Sequence, residues 1–161
     1  MIIMDIPQTW TFVSYVRDSV SDYLPDNIDA ELRESSVMVA SELTENTIKF
    51  GCTPNSDSKK SASIHVDLTE DDVRITVNTT ASLGNLDRVK HIIDTLKTTN
   101  DIEAIYLNRL QEIMETPSQS SSRLGLIRIV HEAKFSLDYD INGNQLKVIA
   151  TRSLKPPTAE G

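Results

Sequence analysis

Apolar positions follow two different periods along this 161-residue chain, and the two periods predict its helices and strands. Spacings of three and four residues, typical of one helix face, run through Pro7–Leu24, Asn27–Phe50, Leu86–Leu96, Ile102–Met114 and Arg123–Ala133. Strict alternation, typical of a strand with one buried face, marks Ile64–Leu68, Val73–Val77, Phe135–Ile141 and Leu146–Ala150. The predicted order is helix, helix, hairpin, two helices, helix, hairpin.

Turn and cap residues lie between these segments. Pro25 is expected to end the first helix, Asp26 to cap the second, and Gly51 to stop it. The loops are then placed at Cys52–Lys60, Thr79–Asn85 and Thr116–Ser122, with Asn142-Gly143 as the last hairpin turn. Two hairpins that each have one apolar face predict an α+β fold, a two-layer sandwich in which helices cover a mixed, mostly antiparallel sheet. We expect one domain over residues 1–154 and a disordered tail over 155–161.

Two polar residues lie beside the apolar stripe of the long second helix. Glu42 and Asn46 are four residues apart, so they lie one turn apart on the same side of the helix. With Val39 taken as zero, Asn46 falls about 20° and Glu42 about 60° to one side of the stripe. Buried polar groups need a partner, so either neighbouring protein groups or a ligand must satisfy them. An alternative is that Glu42 is a surface carboxylate that Lys49 or Lys60 neutralises.

Charge and cysteine content narrow the classes of partner. The net charge of −8 argues against nucleic acid and anionic membranes as main partners, because a basic surface is missing. The single cysteine, Cys52, excludes an internal disulfide framework and a cysteine-based zinc site. The first residues lack the pattern of a signal peptide, and no apolar run approaches transmembrane length. We therefore predict a cytoplasmic protein.

Two segments resemble the motifs of the histidine-kinase-like (GHKL) ATPase superfamily, on the side of the anti-sigma-factor kinases. Ser41–Gly51, which reads SELTENTIKFG, is similar to the superfamily's N box. Arg123–Ile129, which reads RLGLIRI, is similar to its second glycine box. The SiaB-like proteins are a closer resemblance, because they share a strand that ends in Asn, a helical pair with a Tyr, and a Ser-rich stretch. Here these features are Val77-Asn78, Tyr106 and Ser118–Gly125, and the resemblance covers roughly residues 31–150.

The resemblance implies a site for ATP and Mg²⁺. Asn46 would give its side-chain oxygen to Mg²⁺, and Glu42 would act as the catalytic base toward the attacking hydroxyl. Gly125 would let backbone N–H groups at a helix start approach phosphate oxygens. Cofactor-binding roles also fall on Asn78, which stands where the superfamily has an adenine-binding Asp, on Ser122 as a hydroxyl donor and on Arg123 as a phosphate partner.

Two functions follow from the resemblance. The first is an ATP-dependent serine/threonine kinase of bacterial partner-switching signal transduction, whose partner is a small anti-sigma-antagonist-like protein. In such a protein the first helix, with Trp10, Phe12 and Val13, would be a dimer surface. The alternative is a degenerate GHKL-fold module that sequesters a partner without ATP turnover. It is favoured by Asn78 in place of an Asp and by Arg123 in place of a Gly.

Overall fold

The computed structural model of the chain describes residues 1–50, 62–115 and 123–154, except for the side chains of Phe50 and Arg123. In chain order its elements are β1 (Ile2–Ile6), α1 (Phe12–Tyr23), α2 (Ala30–Phe50), β2 (Ala62–Leu68), β3 (Asp72–Thr80), α3 (Leu83–Thr98), α4 (Ile102–Glu115), α5 (Arg123–His131), β4 (Ser136–Asn142) and β5 (Gln145–Ser153). The five helices and both hairpins expected from the periodicity are therefore present, and one further strand precedes them.

The strands form one five-stranded sheet in the order β1-β2-β3-β5-β4. All four neighbouring pairs are antiparallel. The predicted α+β class and the two-layer sandwich are confirmed, while the expected mixture of strand directions is wrong for the described sheet. An antiparallel sheet can expose one face to water, and this sheet does so.

The two faces of the sheet differ in polarity. On β3, Val73, Ile75 and Val77 are buried, whereas the residues between them, such as Asn78, lie on the opposite face and are half-buried or exposed. Helix α2 packs against β2 and β3, α1 packs against β1, and α3 and α5 pack against β4. The core therefore lies between the buried face and the helix layer.

Helix α2 is the central helix of that layer, because it contacts α1, α5 and the sheet together. Its buried positions include hydroxyl residues as well as apolar ones. Thr44 donates to the Ala40 carbonyl at 2.7 Å, and Thr47 donates to the Leu43 carbonyl at 2.8 Å. Hydroxyls that bond within the helix can be buried without leaving a donor unsatisfied, so close packing on several sides is tolerated.

An arginine joins α1 to α2 where the chain reverses direction. The Arg33 guanidinium donates to the carbonyl oxygens of Ser21, of Leu24 at 3.2 Å and of Pro25 at 2.5 Å. These carbonyls lie at or just beyond the C-terminal end of α1, where intrahelical donors run out. The contact therefore caps one helix from the side of the next.

The start of the chain differs from the prediction. Ile2–Ile6 is an edge strand that pairs with β2, from Ile2 opposite Val66 to Ile6 opposite Ala62. The sequence signal was missed because the strand is short and its partner lies some sixty residues away. Helix α1 begins at Phe12 rather than Pro7, so Trp10 precedes it and is exposed. The predicted dimer surface there stays a prediction.

Three further boundaries differ. Asp29, not Asp26, caps α2 by accepting from the Leu32 amide at 3.2 Å. The expected loop Thr79–Asn85 holds the end of β3 and the start of α3, because Ser82 caps that helix and accepts from the Asn85 amide. The two turn residues of the last hairpin are Gly143 and Asn144, not Asn142 and Gly143, because Asn142 pairs with Gln145. Of these two turn residues only Gly143 has a positive φ, which fits a type II′ turn.

The remaining predicted segments lie outside the described residues: the loops 52–60 and 116–122 and the tail 155–161. The single-domain boundary at 154 stays a prediction. Within the described part of the chain, no helix is both long enough and apolar enough to cross a membrane.

Two isoleucines on opposite faces of the sheet provide a test of which face is buried. Ile75 is fully buried and Ile3 is 56% exposed. We expect Ile75→Val to lower the free energy of unfolding by about 1 kcal/mol, because the substitution leaves a methyl-sized gap in the core. Ile3→Val should change it by less than about 0.5 kcal/mol. Urea unfolding of both variants measures this, and equal losses would contradict the assignment of faces.

The Glu31–Arg152 pair should make stability depend on pH. Arg152 Nη2 lies 2.7 Å from Glu31 Oε2, and its hydrogen bond lowers the pKa of Glu31 from the ordinary 4.5. A lowered pKa contributes stability above pH 4.5 that disappears as the pH falls through the folded-state value. Because the Glu31 side chain is 56% exposed, Glu31→Gln should cost less than about 1 kcal/mol at pH 7 and nothing near pH 2. Thermal unfolding at both values, with Glu34→Gln as the control on the same helix, tests this; a loss that persists at pH 2 would contradict it.

Candidate functional site

Helices α2 and α5 approach each other closely at Gly125. A Cβ atom placed on Gly125 would lie 2.5 Å from Glu42 Oε2 and 3.6 Å from Asn46 Nδ2. The first distance is shorter than any van der Waals contact, so only glycine admits the Glu42 carboxylate at this point. The structure thus brings three predicted site residues together: Glu42, Asn46 and Gly125.

The Glu42 carboxylate also contacts an arginine that the sequence analysis did not select. Arg128 Nη1 donates to Glu42 Oε1 at 3.0 Å. Arg128 is three residues after Gly125, so it lies on the same side of α5 and one turn further along. This three-residue spacing from Gly125 is the sequence signal that could have indicated Arg128. Among the described residues, the direct partner of Glu42 is therefore Arg128 rather than Lys49, and Lys60, the other lysine of the alternative, lies outside them.

The arginine belongs to a chain of contacts that reaches α4. Arg128 Nε donates to Glu132 Oε2 at 3.1 Å, and the Tyr106 hydroxyl donates to Glu132 Oε1 at 3.4 Å. The Tyr106 ring stacks on His131 with 4.5 Å between the ring centres. Helix α4 is thereby connected to Glu42 through Arg128 of α5 and through Glu132, which follows the last residue of α5.

Burial dominates the electrostatics of Glu42, whose side chain is only 14% exposed. Loss of water raises the pKa of Glu42, Arg128 and Lys49 oppose that rise, and Glu45 and Glu132 add to it. The result is a carboxylate with a raised pKa beside a guanidinium. A raised pKa brings a carboxylate nearer the range in which it accepts a proton from a substrate at neutral pH.

Asn78 lies elsewhere. It pairs across the sheet with Ser63 and Lys147, on the face opposite the buried residues Val77 and Thr79. Side chains alternate between faces along a strand, so Asn78 points away from the layer that contains α2 and α5. The structure does not bring Asn78 to Glu42 and Asn46.

The remaining predicted residues, Ser122 and Arg123, come shortly before Gly125 in the sequence. Ser122 lies outside the described residues, and so does the side chain of Arg123. Gly125 is the third residue of the helix, within the first turn, where backbone N–H groups lack intrahelical acceptors. Such a helix start favours anions, including phosphate.

The side-chain oxygens at this site suit a hard cation that is bound mainly by phosphate and water. Asn46 offers an amide oxygen and Glu42 a carboxylate, the ligand types that Mg²⁺ prefers. No group of three or more His, Cys, Asp or Glu side chains that could hold a metal occurs in the described ranges. A magnesium ion here would thus take few ligands from the protein and most from phosphate and water.

A separate cleft of about 610 Å³ lies near β4, and none of the predicted site residues lines it. Its walls include Arg74, Lys97 and Asp138, and the last two are paired at 3.0 Å.

Comparison with known proteins shows the fold and little more. No protein-family model matches the chain, and no curated protein matches it. Among solved structures, a chain of the SiaB–SiaC complex from Pseudomonas aeruginosa is similar, with a TM-score of 0.69. The match covers 95% of this chain and 89% of that one at 10% sequence identity. The chain therefore shares its fold with a component of that complex.

A double-mutant cycle tests the contact at Gly125. In a Glu42→Ala background, Gly125→Ala should raise the free energy of unfolding by about 0.5–1 kcal/mol, because alanine is the better helix former. With Glu42 present, the gain should disappear, because the new methyl group displaces the carboxylate. Chemical unfolding of the four proteins gives the coupling, and equal effects in both backgrounds would contradict the close approach.

Proposed function

We propose that this chain binds ATP with Mg²⁺ between α2 and the start of α5, and phosphorylates a Ser or Thr of a small regulatory protein. The observation that carries the proposal is the meeting of Glu42, Asn46 and Gly125. A base, an oxygen ligand for a metal and a glycine at a helix start are the parts that phosphoryl transfer needs.

Each residue has a chemical role in this proposal. Asn46 would hold Mg²⁺ through its amide oxygen, and the free backbone N–H groups in the first turn of α5, around Gly125, would bind phosphate oxygens. Ser122 and Arg123 add a hydroxyl donor and a positive charge at the same helix start. Their spacing from Gly125 in the sequence supports this assignment.

Glu42 is the proposed general base. ATP supplies the phosphoryl group and leaves as ADP, while the acceptor hydroxyl forms the new P–O bond. Glu42 takes the proton that this hydroxyl loses. Its raised pKa, caused by burial, supports the role.

The proposed partner is a small anti-sigma-antagonist-like protein of a partner-switching circuit. Support comes from the similar chain, which was crystallised in a complex of two named proteins, SiaB and SiaC. The acidic net charge of −8 is consistent with a protein partner rather than nucleic acid.

A second function, partner binding without ATP turnover, has its own support. Asn78, the proposed adenine contact, lies on the opposite face of the sheet, and Arg128 already occupies Glu42 Oε1. In this alternative the ion pair is structural, and the helix layer serves as a docking scaffold.

Calorimetric titration with ATP in the presence of Mg²⁺ separates the two functions. We expect wild-type protein to bind, and Asn46→Ala to weaken Mg²⁺-dependent binding by at least about tenfold, or 1.4 kcal/mol. Asn108→Ala, an exposed asparagine on α4, is the matched control and should bind like wild type. No heat from wild type at millimolar ATP would leave only the partner-binding function.

Transfer to protein is tested with labelled ATP and a co-expressed partner. Glu42→Gln should still bind ATP but lower the transfer rate by about 10²–10⁴-fold, the usual contribution of a general base. Unchanged transfer by Glu42→Gln would remove Glu42 from the mechanism.

A further inference from the structure

We infer that Arg128 is the positioning residue for Glu42: it holds one carboxylate oxygen so that the other faces the start of α5. The inference rests on the proposed function in one respect, that it takes Glu42 as the base. The contacts themselves are independent of any nucleotide.

The two oxygens of Glu42 have different surroundings. Oε1 accepts from Arg128 Nη1 at 3.0 Å, whereas Oε2 lies against Gly125, at the point where a Cβ would be 2.5 Å away. A partial rotation of the carboxyl group would break the bond to Arg128, and a half-turn only exchanges the two equivalent oxygens. One oxygen is therefore always presented to the helix start, where an acceptor hydroxyl and a phosphate would meet.

Arg128 is itself held from a second side. Its Nε donates to Glu132 Oε2 at 3.1 Å, and the other oxygen of Glu132 accepts from the Tyr106 hydroxyl. Two contacts on different nitrogens fix the plane of the guanidinium. The orientation of Glu42 is thus set by α5 and α4 together.

A lysine cannot reproduce this arrangement. The guanidinium carries donors in a rigid planar fork, so it can bind Glu42 and Glu132 at once through separate nitrogens. An ammonium group is a single point charge on a flexible stem. Arg128→Lys therefore keeps the charge beside Glu42 but loses the geometry, and Arg128→Met loses both.

The first experiment measures phosphoryl transfer from labelled ATP, with Mg²⁺, by the full chain to its co-expressed partner, with kcat and the KM for ATP determined separately. We expect Arg128→Met to lower kcat by at least about tenfold, because small misplacements of a catalytic group are costly. KM should change by less than about twofold, since ground-state binding is untouched. Arg128→Lys should fall between wild type and Arg128→Met.

Two variants control for a purely structural role. Glu132→Gln weakens the second hold on Arg128 without removing the guanidinium, and we expect a smaller loss of kcat. Arg152→Met removes a comparable Glu–Arg pair with Glu31 and should leave kcat unchanged. Circular dichroism at the assay temperature checks that each variant is folded. A kcat of Arg128→Met equal to that of wild type would overturn the inference.

The second experiment needs no nucleotide. In ¹⁵N spectra of the guanidinium groups, a restrained Arg128 should give an observable Nε–H signal and separate Nη signals. Glu42→Gln should merge the Nη signals, because the charged partner of Nη1 is lost. Averaged Nη signals in wild type would overturn the inference whatever the outcome of the ATP assay. Separate Nη signals in a protein that does not bind ATP would instead contradict the proposed function while supporting the Arg128–Glu42 contact.

Discussion

The packing of α2 on several sides at once is the constraint on which the site depends. This helix lies against the sheet, α1 and α5, so a buried polar group on it is unfavourable unless it is hydrogen-bonded. The buried Thr44 and Thr47 bond to carbonyls of the preceding turn, whereas the buried Ser36 hydroxyl has no hydrogen-bond partner among the described residues. Small side chains let the neighbours come close, and Glu42 and Asn46 then reach the interface with α5.

Helix α5 accommodates Glu42 with two residues on the side that faces α2. Gly125 makes room for the Glu42 carboxylate, and Arg128 supplies the opposite charge one turn later. Burying a carboxylate is unfavourable unless it is paired and hydrogen-bonded. Arg128 does not fully offset the effect of burial, because the pKa of Glu42 is still raised. A buried carboxylate with a raised pKa suits proton transfer better than one whose charge is fully compensated by a cation.

The two faces of the sheet separate the predicted site residues. The buried face and the helix layer hold Glu42, Asn46 and Gly125, while Asn78 stands on the polar face beside Ser63 and Lys147. An ATP molecule between α2 and α5 would therefore need adenine contacts from residues on the helix side of the sheet. The positions proposed for metal and base converge in space, and the position proposed for adenine does not.

The sequence by itself determined the helices α2–α5, both hairpins and the face that each strand buries, since these follow from local periods of apolar residues. It also selected Glu42 and Asn46 by their four-residue spacing, and Gly125 through the resemblance of its segment to a glycine-box motif. Only the tertiary structure decided that β1 is a strand and that Arg128 is the partner of Glu42. Each of these depends on contacts between residues far apart in the chain, such as Glu42 and Arg128 with a sequence separation of 86, so the local period of apolar residues does not determine them.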